Sequence, residues 1–184
     1  MPLLTAQQLA AILAPCDLAF AEGWLPHVIA AAERFEINTP ARLAAFLAQT
    51  AHESMRYRRT AEVWAPESCA WQRGYEGRAA LGNTRPGDGA RFRGRGLIQL
   101  TGRYWYTECS KATGIPCLTT PESLAAQAGA AISAAWYWSH NRCNQLADAG
   151  NFDAITRKIN PAMLGADQRR AFWTKAKGAL NVSA

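Results

Sequence analysis

Two glutamates, Glu53 and Glu62, stand nine positions apart. Paired carboxyl groups can divide acid and base work. One protonates the leaving oxygen of a glycosidic bond, while the other draws a proton from water arriving at the opposite sugar face. In that inverting geometry the two groups lie about 6.5–9.5 Å apart. Glu53 is in helical phase with Leu43, Phe46 and Thr50, with Leu47 beside the stripe. Apolar surroundings oppose ionisation, and a general acid must keep its proton near neutral pH. Nine residues of continuous helix would put Glu62 on the opposite face. The pair can share a cleft only if the helix ends between them. The polar run from Arg56 to Thr60 can carry that turn, with the break expected near Arg58 to Thr60.

Other chemistries fit less well. His52 precedes Glu53, but a helical zinc motif needs a second histidine four residues after the first, and that position is Arg56. The three histidines, His27, His52 and His140, lack metal-ligand spacing. No metal and no cofactor is expected. Gly94-Arg95-Gly96 is not a nucleotide loop, because the G-x-G-x-x-G and Walker patterns are absent. These glycines either turn the chain at positive φ or bring backbone close to a ligand.

The elements that must position these residues are mostly helical. Thr5 and Gln8 have capping-box spacing, and Pro15 ends the helix they open. A second helix is expected over 23–35, with Trp24, Val28, Ala31 and Phe35 at helical spacing. Thr39-Pro40 opens the helix that carries Glu53. The segment 64–96 is punctuated by Gly and Pro and reads as a long functional loop with at most a short element. Further helices are expected after Gly102 to about Thr113, from Pro121 through Trp138, from Asn151 to near Asn160, and from Asp167 to Leu180.

Composition sets the outer limits. The 184 residues suit one domain, and 49% hydrophobic content with seven Trp can build a sizeable core. A net charge of +6 implies an anionic partner: nucleic acid, anionic lipid or an acidic wall polymer. No run approaches the roughly 18 apolar residues of a membrane span. The first fifteen residues lack the basic start of a signal peptide, so synthesis in the cytoplasm is expected. Five cysteines, an odd count without Cys-x-x-Cys, read as small buried hydrophobes, with Cys109 and Cys117 the pair that could oxidise outside the cell. From Arg157 onward six basic residues face one acid, Asp167. They read either as a solvated helix face or as a contact for anionic lipid or wall polymer.

Two stretches carry a family resemblance. Ala48-Gln49-Thr50-Ala51-His52-Glu53-Ser54 resembles the A-Q-x-x-H-E-S helix of glycoside hydrolase family 19. Arg91-Phe92-Arg93-Gly94-Arg95-Gly96-Leu97-Ile98-Gln99-Leu100-Thr101-Gly102-Arg103 is similar to that family's R-Y-R-G-R-G-x-I-Q-L-T-G-R signature. The segments 75–78 and 81–89 are similar to its phage endolysin branch. Three departures stand out. Met55-Arg56 replaces the usual Gly-Gly after His-Glu-Ser, Trp105 replaces an Asn, and Asn160-Pro161-Ala162 replaces N-G-G.

The resemblance implies a mostly α, two-lobed lysozyme-like fold with a central cleft and a glycine-rich irregular segment. It implies one catalytic domain over 1–184, with no separate wall-binding module. Glu53 matches the general acid and Glu62 the carboxylate that activates water. Gln99, Thr101 and Tyr106 match substrate-binding positions. Asn160 matches a contact to an N-acetyl group, and Arg170 an arginine supporting the acid. Trp64, Tyr104 and Trp105 are candidates for stacking on sugars. The expected activity is hydrolysis of peptidoglycan glycan strands by a monomer without nucleic-acid partners, reaching the periplasm and wall after holin-type release. The alternatives are a chitinase of the same fold, a lytic transglycosylase, or a non-catalytic wall-binding homologue.

Overall fold

A computed structural model describes residues 3–182. Among them are ten α-helices: α1 (Ala6–Leu13), α2 (Leu18–Arg34), α3 (Pro40–Glu53), α4 (Ala70–Arg73), α5 (Asp88–Arg91), α6 (Arg103–Thr113), α7 (Gln127–His140), α8 (Cys143–Asp148), α9 (Phe152–Ile159) and α10 (Ala166–Ala179). No strand is present among the described residues. Two isolated antiparallel bridges, Ala61 to Arg95 and Arg95 to Leu100, stitch the middle of the chain.

Local chemistry explains most boundaries. Thr5 and Gln8 form the reciprocal capping box at α1. Thr39 accepts from the Arg42 amide, with Pro40 at the first position of α3. Asn151 caps α9 through the Ala154 amide. Gly114 closes α6 in the left-handed region, at φ 80°. The second helix starts five residues earlier than its apolar stripe suggests, because Asp17 caps it and Pro26 is accommodated inside. The expected helix after Pro121 is split into a 3-10 turn, Pro121–Leu124, followed by α7. The short helix α8 has no counterpart in the sequence reading.

Two apolar cores make two lobes. The larger packs α1, α2, α3, α7, α9 and α10 around Phe46, Leu47, Val28 and Trp138. The smaller gathers Phe92, Leu100, Tyr106, Cys109, Cys117 and Leu124. Helix α7 belongs to both, giving Trp138 to the larger and Trp136 to the smaller. The segment 54–101 crosses from one core to the other. All five cysteines are free thiols; Cys109, Cys117 and Cys143 are buried. No single helix among the described residues is long and apolar enough to cross a membrane.

Candidate active site

Helix α3 stops at Glu53, and the chain turns back at once. Met55, Arg56 and Tyr57 hold φ of 51°, 58° and 66°, three consecutive left-handed residues without a glycine. Each costs about 1–2 kcal/mol relative to ordinary helical backbone. Part of that is offset locally: the Tyr57 ring is buried, its hydroxyl lies 2.9 Å from Thr50 Oγ1, and its amide donates to Ser54 Oγ. The break therefore lies at 55–57, earlier than the polar residues 58–60 suggested. Two of these positions, Met55 and Arg56, are those where the family pattern has glycine. Positive φ there gives the physical reason.

After the turn the chain runs along the glycine-rich segment. The Glu62 amide donates to Gly94 O at 2.8 Å. This seats Glu62 opposite the turn between Gly96 and Gln99. Its carboxylate accepts from both sides: Gln72 Nε2 donates to Oε1 at 3.0 Å, and the Gly94 amide donates to Oε2 at 3.1 Å. Both oxygens act as acceptors. A methyl group at Gly94 would lie 2.9 Å from Gln99 Oε1, 3.3 Å from Thr101 Oγ1 and 3.4 Å from Glu62 Oε2. Glycine at this position lets the three polar groups converge.

Glu53, Glu62, Gln99 and Thr101 line one open cleft of about 280 Å³, together with Trp71 and Tyr75. Glu53 is held from the far side. Arg169 Nη2 donates to Oε1, Arg169 Nη1 donates to Gln49 Oε1 at 2.6 Å, and Gln49 Nε2 donates to Thr156 Oγ1 at 2.8 Å. Arg169 is 1% exposed and the Glu53 side chain 19%. No donor among the described residues reaches Glu53 Oε2. His52, next in the chain, packs over Gly165, where a Cβ would approach its ring to 2.4 Å. Burial, then the Arg169 charge, lowers its pKa to about 4. Tyr75 is pushed up to about 12, first by burial and then by the negative charge of Glu62. Both groups are neutral at pH 7.

Several expected site residues lie elsewhere. Tyr106 is fully buried, donating to Arg93 O and accepting from Arg95 Nη1, so it braces the wall rather than meeting a ligand. Arg170 does not support Glu53. It pairs with Asp153 and Asp167 on the outer face of α10, and the arginine at Glu53 is its neighbour Arg169. Asn160 ends α9 and accepts from the Leu164 amide at 3.4 Å, outside the residues lining the cleft. Trp64 packs against Tyr75, Tyr104 lies over Gly82, and Trp105 sits among Trp136, Tyr137 and His140. Of the two aromatics lining the cleft, Trp71 is the exposed one, 59% exposed on α4 and edge-on to Tyr75. Nothing in its spacing marked it. Gln49, by contrast, is one helical turn before Glu53, a legible signal for a shared face.

The described residues contain no cluster of three or more potential metal ligands. The basic residues of the C-terminal segment do not form one face. Arg169 is buried at Glu53, Arg170 is paired, Lys177 lies 4.4 Å from the Trp173 ring centroid, and Lys175 reaches toward Ala14 O.

Comparison with known proteins gives a consistent family. Residues 28–172 match the family model Glyco_hydro_19, described as chitinase class I. A glycosyl hydrolase family 19 domain-containing protein of Haemophilus influenzae is 36% identical over 96 residues, 52% of this chain and 46% of that one. An endochitinase of Arabidopsis thaliana is 36% identical over 137 residues, 72% of this chain and 44% of that one. The chain thus spans a little under half the length of these relatives. In fold, it is similar to a bacterial family 19 chitinase, with a TM-score of 0.78 at 20% identity, covering 98% of this chain and 96% of that one. Chitinase C of Streptomyces griseus gives a TM-score of 0.75 at 21% identity, covering 99% and 78%.

Proposed function

The chain belongs to glycoside hydrolase family 19, and from that premise we propose that it is a wall-degrading endolysin hydrolysing glycosidic bonds of peptidoglycan with inversion. The observation that carries the reading is the unequal support of two carboxyl groups lining one cleft. Arg169 engages Glu53 Oε1, and no donor among the described residues reaches Oε2. Glu62 is fixed as an acceptor by two neutral donors. That division suits an acid and a base with different tasks.

In this reading Glu53 Oε2 gives its proton to the glycosidic oxygen as the bond to the departing sugar breaks. Glu62 takes a proton from a water approaching the opposite face. The Thr101 hydroxyl already donates to Gln99 O, at 3.0 Å, so its lone pairs remain free to accept from that water. Gln99, at φ 59°, is anchored by its amide to Gly96 O and presents Oε1 beside Glu62. The positive net charge and the endolysin-like segments 75–78 and 81–89 favour an anionic wall polymer as substrate. The enzyme would act as a monomer in the periplasm and wall, after holin-type release from the host cytoplasm.

The endochitinases among its relatives support a second reading, hydrolysis of chitin. Mass spectrometry of digested sacculi and of chitin, with the parent and with Glu53→Gln and Glu62→Gln, separates the readings. Reducing-end muropeptides, lost in both variants, support the proposal. Anhydro products would mean transglycosylation, chitin-only products would mean a chitinase, and an undiminished Glu53→Gln would remove the assigned acid.

A further inference from the structure

Beside the cleft is a second concavity that the acid–base chemistry does not use. Its volume is about 430 Å³, in the range that holds a small ligand. Its walls include His52 and Arg56 from the end of α3, and Gln168, Phe172 and Lys175 from one face of α10. Met55 lines both this concavity and the cleft, so the two open on either side of one exposed side chain.

The chemistry of the wall is one-sided. Arg56 and Lys175 line it, and among the described residues no Asp or Glu does. His52 adds no charge at neutral pH. Arg56 Nε is a buried donor with no acceptor among the described residues, a loss of hydration that no protein hydrogen bond offsets. The guanidinium instead lies 5.4 Å from the Phe172 ring centroid, and its backbone is left-handed at φ 58°. Among the described residues Lys175 Nζ has a single long hydrogen-bond contact, 3.5 Å to Ala14 O. A wall with two cations and no carboxylate among its lining residues is complementary to an anion.

We propose that this concavity is a subsite for a carboxylate of the peptide that peptidoglycan carries on its glycan strand. The inference rests on the peptidoglycan reading above, because chitin has no carboxylate to offer. Continuity with the cleft favours this ligand. A sugar seated between Glu53 and Glu62 would need only to pass its substituent over Met55 to reach Arg56. An anionic lipid headgroup has the right charge but no reason to lie next to the reacting bond.

The test is calorimetric titration of the full chain with N-acetyl-L-alanyl-γ-D-glutamyl-diaminopimelate. The parent should bind it saturably, and Arg56→Gln and Lys175→Gln should each weaken binding roughly fivefold or more, with Arg56→Lys closer to the parent. Lys175 lies on an outer position of α10, so its variant keeps the test decisive if Arg56→Gln fails to fold. In parallel, the ratio of KM on peptide-stripped glycan to KM on peptide-bearing glycan should fall toward one in both variants. Absence of peptide binding by the parent overturns the subsite even if walls are hydrolysed. Peptide binding without glycan cleavage keeps the subsite and sinks the enzymatic reading. Binding to phosphatidylglycerol vesicles that depends on both residues, with none to the peptide, reassigns the pocket to lipid.

Discussion

Arg169 donates to Glu53 across 116 positions of sequence, and both belong to one buried relay that continues through Gln49 to Thr156. Helix α10 thereby fixes the carboxyl group at the end of α3. Replacing Arg169 by Met should cost about 2 kcal/mol, the scale of a hydrogen bond to a charged group. Glu53 would then lose its orientation. Thermal unfolding alongside turnover would show kcat falling more than tenfold at temperatures where the variant remains folded, with Arg169→Lys intermediate. Full activity in Arg169→Met would show that the relay serves folding alone.

At Gly94 the expectation runs the other way. An added methyl meets Gln99, Thr101 and Glu62 at 2.9–3.4 Å, all polar side chains in the cleft. Gly94→Ala should displace these groups by a few tenths of an ångström, costing about 1–3 kcal/mol as overpacking. Catalysis should suffer more, because misplacement on the order of 1 Å costs up to about a hundredfold. A Tm loss of a few degrees with at least about tenfold lower kcat is the anticipated pair of readings.

The His52 imidazole makes a pH prediction. Its pKa is lowered from 6.5 to about 4 in the folded chain. A depressed histidine favours folding in its neutral form. Its stabilisation is complete above pH 6.5 and is lost as pH falls from 6.5 toward 4. Tm measured across that window should drop more steeply for the parent than for His52→Asn. Parallel curves would mean that His52 titrates as freely folded as unfolded.

Trp71 projects into the cleft from a four-residue helix. Truncation to Ala should raise KM several-fold while changing kcat less, since stacking on a sugar face binds ground and transition states alike. Trp71→Phe should recover much of the loss. Equal damage to kcat would place this ring closer to the reacting bond than the geometry indicates.

Much of this was legible in the chain itself, and the failures have physical causes. Thr39-Pro40 and Gly114 mark helix ends because caps are local chemistry, readable a few residues at a time. Gly94-Arg95-Gly96 reads in sequence as a turn or a close backbone approach, and only the fold shows that Gln99, Thr101 and Glu62 meet at Gly94. The family match points to Arg170 where the structure has Arg169 at Glu53, and one residue is about 100° around a helix. No local signal says which of two adjacent arginines faces inward. Tyr106 carries a polar hydroxyl that suggests a ligand contact, yet the smaller core buries it and internal partners satisfy it. The turn after Glu53 was placed too late because left-handed backbone is ordinarily announced by Gly or Asn, and here Met55, Arg56 and Tyr57 adopt it.

That turn has a consequence for how selectivity can change. A left-handed backbone is disfavoured for every L side chain and most of all for branched ones, so the conformation is held by its surroundings, with Tyr57 pinned under Thr50. Met55 and Arg56 thus ride on a mount that their surroundings hold, and unbranched side chains can be exchanged there at the least cost. Exchanging them would redraw the border between the cleft and its neighbouring pocket while Glu53 and Glu62 stay put. On the proposed function, what the site accepts could then change while the two carboxyl groups keep their places.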